Sequence, residues 1–327
     1  MMQKSRRAVL VAAALAACAC MAGAQTANWP GKPIKFIVPV PPGGAADAMA
    51  RLIADHLTGK LGQAVVVDNR AGAGSSIGMD VVAKAAPDGY TIGLGNVAAN
   101  AINPAVRPQG YPFEPVKAFA PISLVGVTPL ILVVNAEKVP ARTVPEFISY
   151  LKSSGGKTPY GSSGAGSSLH VGMELFLQMT GTRAIHVPYK GSAPMETDLM
   201  GGQVLASMDA AATSWPQVQA GKLRALGIST KERAFFAPDV PPIADTVPGF
   251  EIKPWHGVVA PAGTPPAIVK RLSDEIQAYL RTPAAEQRLR DLGVVRVGSS
   301  APEFAKVMDD EYEFYKKLVK QAGIHAE

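Results

Sequence analysis

Short apolar runs alternate with segments of helical periodicity from residue 34 onward. Residues 34–38, 64–67 and 90–94 are apolar runs of strand length. Between them, residues 45–57 and 77–86 place apolar side chains three or four positions apart, which is the spacing of one helix face. The order strand, helix, strand, helix, strand predicts a parallel sheet built with right-handed crossovers.

The same alternation returns in the middle of the chain. Strands are predicted at 131–134, 159–161, 183–187, 204–208 and 223–229, and helices at 168–179 and 194–200. A further helix begins at Thr143, which forms a capping box with Glu146, and Pro145 lies in its first turn. We therefore expect a second α/β unit of similar size.

The C-terminal part of the chain has a helical pattern. One predicted helix places Ile268, Leu272, Ile276 and Leu280 on a single stripe. A longer helix is predicted from residue 300 to residue 320. Its large side chains recur at helical spacing, which indicates core packing: Phe304, Met308, Tyr312, Tyr315 and Leu318.

Two apolar stretches that contain proline, 123–134 and 252–260, predict crossings between the two units. They divide the chain into lobe I, residues 25–125 with 255–327, and lobe II, residues 126–254. Two crossings between two rigid bodies are the geometry of hinge closure around a ligand.

Residues 1–24 have the pattern of a signal peptide. Lys4, Arg6 and Arg7 precede an apolar run at 9–17 that is too short to span a bilayer, and small residues lead to a cleavage site after Ala24. Acylation of Cys18, which would leave a lipid tether, is the alternative, and both Sec and twin-arginine export stay open. In each case the sequence predicts a periplasmic protein.

Charge and cysteine content argue against several classes of function. The net charge of +6 falls to +3 without the three leader cations, and the remaining basic residues are interspersed with acidic ones. This pattern argues against a nucleic-acid partner. Both cysteines, Cys18 and Cys20, lie in the leader region, and the five histidines lack the spacing of metal ligands. We expect no metal and no cofactor.

Glycine-rich loops in both units form the candidate binding site. Residues 41–44 (PPGG) and 161–167 (GSSGAGS) each connect a strand to a helix, and residues 93–96 (GLGN) supply a third loop. At the carboxyl ends of parallel strands, such loops bring helix N-termini and backbone N–H groups close to an anion. The alternative is that the glycines only make tight turns. Their recurrence in both units favours a shared anion site.

Residues 74–78 (GSSIG) match the G-x-S-x-G elbow of serine hydrolases, with Ser76 in the position of the nucleophile. That elbow requires a strand running directly into its first glycine, whereas residues 68–73 are predicted as a loop. A secreted serine hydrolase stays open as the alternative to a receptor without catalysis, although the predicted loop argues against it.

The chain resembles the Bug-type receptors of tripartite tricarboxylate transporters, the TctC-like family. The resemblance covers nearly all of the chain after the leader. Its motifs are WPGKPI at 29–34, VPVPPGGAAD at 38–47, VDNRAGAG at 67–74, APDGYT at 86–91, VPYKGS at 187–192, GGQV at 201–204 and APAGTP at 260–265. The resemblance implies a two-lobe α/β fold like that of periplasmic binding proteins, in which each lobe has a mainly parallel sheet flanked by helices and two strands cross between the lobes.

The resemblance also implies the residues that hold the ligand. In lobe I, one carboxylate is expected against Pro42, Gly43, Gly44 and Asp47, partly through ordered water. Asn96 and Ala98 lie on the third loop of the same lobe. In lobe II, the expected residues are Ser162, Gly164, Ser167 and His170, and Asp209 is expected to read the distal end of the ligand.

The implied partners are a small organic anion and the membrane subunits of a permease. Alanines at 98–99 and 210–212 leave the expected pocket poor in polar groups, which favours an apolar or aromatic mono- or dicarboxylate over a hydroxy acid such as citrate. We expect the receptor to be a monomer. A ligand sensor that feeds a two-component kinase stays open, because both systems use the closed, liganded form.

Overall fold

The computed structural model of the protein describes residues 29–322. The predicted signal peptide at 1–24 and the predicted tether at Cys18 lie outside the described residues.

The first part of the chain follows the predicted alternation of strands and helices. Its elements are β1 (Ile34–Val38), α1 (Ala45–Leu61), β2 (Val65–Asn69), α2 (Ser76–Ala83), β3 (Thr91–Asn96), α3 (Asn103–Val106) and β4 (Phe119–Val127). A short 3₁₀ turn at Ala73–Ser75 precedes α2, and a π-helical turn at Ala98–Ile102 precedes α3. Turns of the π type are concentrated at functional sites.

The middle part contains β5 (Leu130–Asn135), α4 (Val144–Ser153), β6 (Pro159–Ser162), α5 (Ser168–Thr180), β7 (Ile185–Pro188), α6 (Ser192–Gly201), β8 (Ala206–Ala210), α7 (Ala211–Gln219) and β9 (Leu223–Ile228). Half of the capping box predicted for α4 is present, because Thr143 Oγ1 accepts a hydrogen bond from the backbone N–H of Glu146, whereas the Glu146 side chain accepts the N–H of Arg142, one residue before the N-cap.

The last part contains β10 (Trp255–Pro261), α8 (Pro266–Leu280), α9 (Pro283–Asp291), β11 (Val295–Arg296) and α10 (Ala301–Ala322). The predicted stripe of α8 is buried, as are Phe304, Met308, Tyr315 and Leu318 of α10. The ring centroids of Phe304 and Trp255 are 5.3 Å apart, and the two rings pack edge to face. Helix α10 therefore closes the core of the first half at the start of β10.

The strands form two separate sheets, with the orders β11-β4-β10-β3-β1-β2 and β7-β6-β8-β5-β9. The predicted α/β fold with two sheets flanked by helices is confirmed, but both sheets are mixed where mainly parallel sheets were expected. Strand β1 is parallel to β2 and β3, whereas β10 is antiparallel to both β3 and β4. In the second sheet, β6 is parallel to β7 and β8, whereas β5 is antiparallel to β8 and β9. The antiparallel strands include those that cross between the sheets.

The chain passes between the sheets twice. Strand β4 stays in the six-stranded sheet as far as Val127, and β5 begins the five-stranded sheet at Leu130. The chain returns at Trp255, the first residue of β10. A hydrogen bond from the N–H of Thr128 to the carbonyl of Pro254, 2.8 Å long, joins the two crossings directly. The predicted lobe boundaries at 125/126 and 254/255 stay a prediction.

Ser229 ties both crossings to the end of β9. Its fully buried Oγ accepts a 2.9 Å hydrogen bond from the N–H of Leu130 and donates a 2.7 Å bond to the carbonyl of Ile252. Its backbone bonds the same two residues. One small polar side chain therefore satisfies buried backbone groups of both crossing segments.

We expect Ser229→Ala to lower the free energy of unfolding by about 1–3 kcal/mol, because the buried N–H of Leu130 and carbonyl of Ile252 each lose a partner. Unfolding in urea measures this loss. Ser149→Ala is the matched control, since Ser149 is exposed on α4 and its hydroxyl bonds only the preceding turn. Equal stability of the Ser229 and Ser149 variants would contradict the role of Ser229.

Candidate functional site

A cleft of about 1040 Å³ lies between the two sheets. The six-stranded half lines it with residues 39–41, 71–75, 96–98 and Asn103. The five-stranded half contributes residues 163–168 and 190–192, and the second crossing contributes residues 254–256. Loops at the carboxyl ends of β1, β2, β3, β6 and β7 therefore meet in one cavity, as parallel α/β units predict.

Helices that begin at this cleft include α2 and α3 from the first half, and α5 and α6 from the second. Helix α5 is capped by its own sequence, because Ser167 Oγ accepts the N–H of His170. Helices α2 and α6 have no side-chain hydrogen bond at their N-caps, Ser75 and Gly191. The N–H of Ser76 bonds the carbonyl of Ala73, but the first turns of both helices otherwise lack a side-chain cap, so each half presents a positive dipole end to an anion in the cleft.

The loop before α2 has an unusual backbone. Ala73 and Ser75 have φ values of 45° and 75°, in the left-handed region that residues with a side chain rarely adopt, and Gly74 between them has φ 62°. Asn96 holds this loop, since its Nδ2 donates to Ser75 Oγ at 3.1 Å while its Oδ1 accepts the N–H of Ala99. Such strain is typical of binding sites, where the surroundings fix the backbone.

The charges of the cleft favour an anion. Among the described residues that line it, Lys190 is the one charged side chain, and no aspartate or glutamate is present. The other titratable side chain is His256, where burial lowers the pKa to about 4, so its ring is neutral at pH 7. The lining therefore has a positive charge together with two uncapped helix ends.

Four of the residues expected at the site line the cleft: Asn96, Ala98, Gly164 and Ser167. The PPGG loop departs from the expectation. Pro41 lines the cleft, but Pro42, Gly43 and Gly44 are exposed and are not part of its wall. The loop turns outward after Pro41, where Gly43 has a φ of 95°.

Asp47 is a structural acid rather than part of the cleft wall. It is buried, and its oxygens accept hydrogen bonds from Arg51, from the N–H of Gly43 at 2.9 Å and from Asn69 Nδ2 at 2.9 Å. Burial acts to raise the pKa of Asp47, but these hydrogen bonds and the charge of Arg51 outweigh burial and lower it below its usual value. Asp47 therefore fixes the turn that follows Pro41.

Ser162 and His170 lie beneath the second-half loop and hold it in place. Ser162 is fully buried, and its Oγ lies 2.7 Å from His186 Nε2. The rings of His170 and His186 stack with centroids 3.9 Å apart. His170 Nδ1 accepts a 3.1 Å hydrogen bond from the N–H of Gly166, which requires this nitrogen to be unprotonated.

Asp209 is also buried away from the cleft wall. Its carboxyl is fully buried at the end of β8, and Thr213 Oγ1 donates to its Oδ2 at 3.4 Å. Desolvation first, and the neighbouring carboxyl of Glu196 second, raise the pKa of Asp209 well above its ordinary value. Burial and Glu196 therefore both disfavour a negative charge on Asp209.

Several residues of the cleft were not predicted from the sequence. Lys190 lies in the VPYKGS motif, and Trp255 and His256 lie in the second predicted crossing, but none of the three was predicted to bind a ligand. Asn103 belongs to none of the predicted loops or motifs. The sequence does contain a usable signal for Lys190, because a cation followed by glycine and a helix start is typical of an anion site.

The site and the fold together define a class of protein: two α/β halves, joined by two crossings, with an anion-attracting cleft between them. The sequence model of the family described as "Tripartite tricarboxylate transporter family receptor" matches residues 49–324. BugT of Bordetella pertussis is 35% identical over 324 residues, which cover 98% of this chain and 99% of that protein. The chain belongs to this family of periplasmic solute-binding receptors, which are normally non-catalytic.

Solved structures show the same fold. A structure described as a periplasmic transporter has 40% identity, a TM-score of 0.81 and coverage of 91% of this chain and 99% of its own. R. palustris Rpa4515 with adipate has 36% identity, a TM-score of 0.82 and coverage of 91% and 99%. MatC from Rhodopseudomonas palustris with bound malate has 30% identity, a TM-score of 0.77 and coverage of 89% and 100%. Two of these relatives therefore bind carboxylates.

The structure also bears on the serine-hydrolase alternative. Strand β2 ends at Asn69, so no strand leads into Gly74, and the hydroxyl of Ser76 donates to the carbonyl of Ala73 within its own turn. The hydrolase elbow is therefore absent at this place.

Of the helices between residues 29 and 322, none combines the length and apolar character that crossing a membrane requires.

Acidification from pH 7 to about pH 4.5 is expected to destabilise the fold through His170. Burial first, and then His186, lower the pKa of His170 to about 4, against an ordinary value of 6.5. Unfolding therefore takes up a proton between these two values, and the stabilisation present above pH 6.5 is lost as the pH falls toward 4, by at most about 3 kcal/mol.

His170→Asn tests this contribution, because an asparagine Oδ1 can accept the N–H of Gly166 but does not titrate. Unfolding in urea at several pH values should show a weaker loss of stability in acid for this variant than for the wild type. From pH 7 to pH 8 the two slopes should agree. An identical acid response in both proteins would show that His170 is not buried as described.

Proposed function

We propose that this chain is an extracytoplasmic receptor that captures a small organic carboxylate in the cleft and delivers it to a tripartite permease. The observation that supports this most directly is the pair of uncapped helix starts, α2 and α6, on opposite walls of a cleft whose one charged side chain is Lys190. A carboxylate supplies the acceptors that these N–H groups lack.

The walls between the helix starts favour a ligand with an apolar body. Val40, Val97, Ala98 and Ala165 contribute aliphatic groups to the lining, alongside polar side chains that include Ser75, Asn96 and Ser163. An aliphatic or aromatic chain could lie against these groups while its carboxylates reach Lys190 and the helix ends. The hydroxyl and third carboxylate of citrate would be placed against apolar surface without partners, at a cost in affinity.

The two crossings support hinge closure as the capture step. They are hydrogen-bonded to each other at residues 128 and 254 and both bond Ser229, which concentrates the chain connections between the halves in one short region, as a hinge requires. We propose that the leader at 1–24 is removed on export, that the mature receptor is a monomer in the periplasm, and that it performs no catalysis. A sensor kinase in place of the permease would use the same closed form.

Carboxylates that bind the cleft should raise the melting temperature of the mature chain. Adipate, malate, benzoate and citrate, each at millimolar concentration, form a suitable panel, because they vary the number of carboxylates, the hydroxyl content and the apolar body. We expect adipate to give a rise of about 2 °C or more and citrate to give the smallest rise. If none of the four shifts the melting temperature, the carboxylate function is wrong, and if citrate gives the largest shift, the preference for an apolar body is wrong.

Lys190→Gln should weaken adipate binding about three- to tenfold, since it removes a charge-assisted contact while keeping the length and polarity of the side chain. Isothermal calorimetry measures the change. Lys152→Gln is the matched control, because Lys152 is an exposed lysine of the same half at the end of α4, outside the cleft. Equal affinities of the two variants would show that Lys190 does not contact the ligand.

A further inference from the structure

The side chain of Asn103 lies between one loop from each half of the molecule. Its Nδ2 donates a 2.8 Å hydrogen bond to the carbonyl of Gly74, in the strained loop before α2. On its other side, Asn103 faces Gly166: a Cβ added to Gly166 would lie 2.9 Å from Asn103 Oδ1, closer than such atoms approach each other. Asn103 therefore occupies the space that a side chain at position 166 would need.

This contact crosses the cleft. Asn103 is the first residue of α3, which follows β3 in the six-stranded half, whereas Gly166 lies between β6 and α5 in the five-stranded half. Both residues line the cleft. Gly166 is buried although it belongs to a loop, while Gly74 on the opposite side of Asn103 is exposed.

Gly166 is held firmly in its position. Its N–H donates to His170 Nδ1, and its φ of 74° lies in the left-handed region that glycine adopts without strain. The neighbouring N–H of Ser167 bonds the carbonyl of Gly164, which closes the turn around it. The loop therefore presents a fixed, side-chain-free surface to Asn103.

We propose that Asn103 is a positioning residue that sets how closely the two halves approach when the cleft closes over its ligand. The proposal rests on the function proposed above. The Nδ2 of Asn103 donates to the carbonyl of Gly74, and its Oδ1 faces the backbone of Gly166, which has no side chain. An uncharged amide in this position makes the contact without competing with an anion for Lys190.

A cycle of four proteins tests the contact without any ligand: the wild type, Asn103→Ala, Gly166→Ala and the double variant. Gly166→Ala should lower the melting temperature, because the new methyl group meets Asn103 and the backbone is strained. Adding Asn103→Ala should then raise the melting temperature of Gly166→Ala, since the truncation makes room for the methyl group, although the same truncation lowers it in the wild type.

Gly164→Ala is the matched control for backbone strain. Gly164 lies in the same loop with a φ of 130°, and a Cβ there approaches the carbonyl of Tyr189 and not Asn103. Adding Asn103→Ala to Gly164→Ala should give no rescue. The proposal is overturned if Asn103→Ala lowers the melting temperature equally in the wild type, Gly164→Ala and Gly166→Ala backgrounds.

Adipate binding provides a readout that a merely structural role would not change. Since the contact joins the two halves at the separation seen in this structure, stopped-flow measurements should show that Asn103→Ala raises the dissociation rate about three- to tenfold and leaves the association rate within about twofold. An unchanged dissociation rate would overturn the proposal. This arm needs no Gly166 variant, so it decides the question even if Gly166→Ala does not fold.

The two proposals fail in different ways. If the wild type does not bind adipate or the other three carboxylates, the proposed function fails, and the melting cycle still decides whether Asn103 and Gly166 touch. If the wild type binds adipate while the cycle is additive, the receptor function stands and the role of Asn103 is wrong.

Discussion

Unpaired backbone N–H groups at helix starts are the constraint on which this cleft depends. A helix leaves its first N–H groups without partners inside the helix, and proteins usually satisfy them with a capping side chain. Here α5 is capped by Ser167, whereas α2 and α6 are not capped, because Ser75 Oγ is engaged by Asn96 and Gly191 has no side chain. One start comes from each half of the molecule, so under the proposed function a single anion in the cleft would bond both.

The acids near this region are arranged so that they do not oppose an anion. Asp47 is paired with Arg51 and holds the turn after Pro41, and burial and Glu196 raise the pKa of Asp209, which disfavours its charged form. Both were expected to contact the ligand. Their contact with the ligand stays a prediction; among the described residues neither lines the cleft, so the positive dipole ends and Lys190 have no acidic side chain beside them in the wall.

Periodicity and turn chemistry predicted most of the elements, since alternating apolar runs and glycine loops are local signals. What they could not predict depends on residues distant in sequence. The crossing strands β4 and β10 pair antiparallel with each other and make the sheet mixed. The loop at 41–44 turns away after Pro41 because Asp47 and Asn69 hold it, and no local pattern shows where a loop points. Lys190 and Asn103 become site residues only once the halves meet.

The strength of the contacts between the halves decides whether such a receptor can respond to its ligand. A strong ion pair across the cleft would favour the closed form even when it is empty, and a ligand shifts an equilibrium only by its differential affinity for the two states. Asn103 against a bare glycine backbone is instead a weak, shape-dependent contact. If the proposed function is right, the larger attraction comes from the carboxylate at the two helix starts, and closure then depends on the ligand.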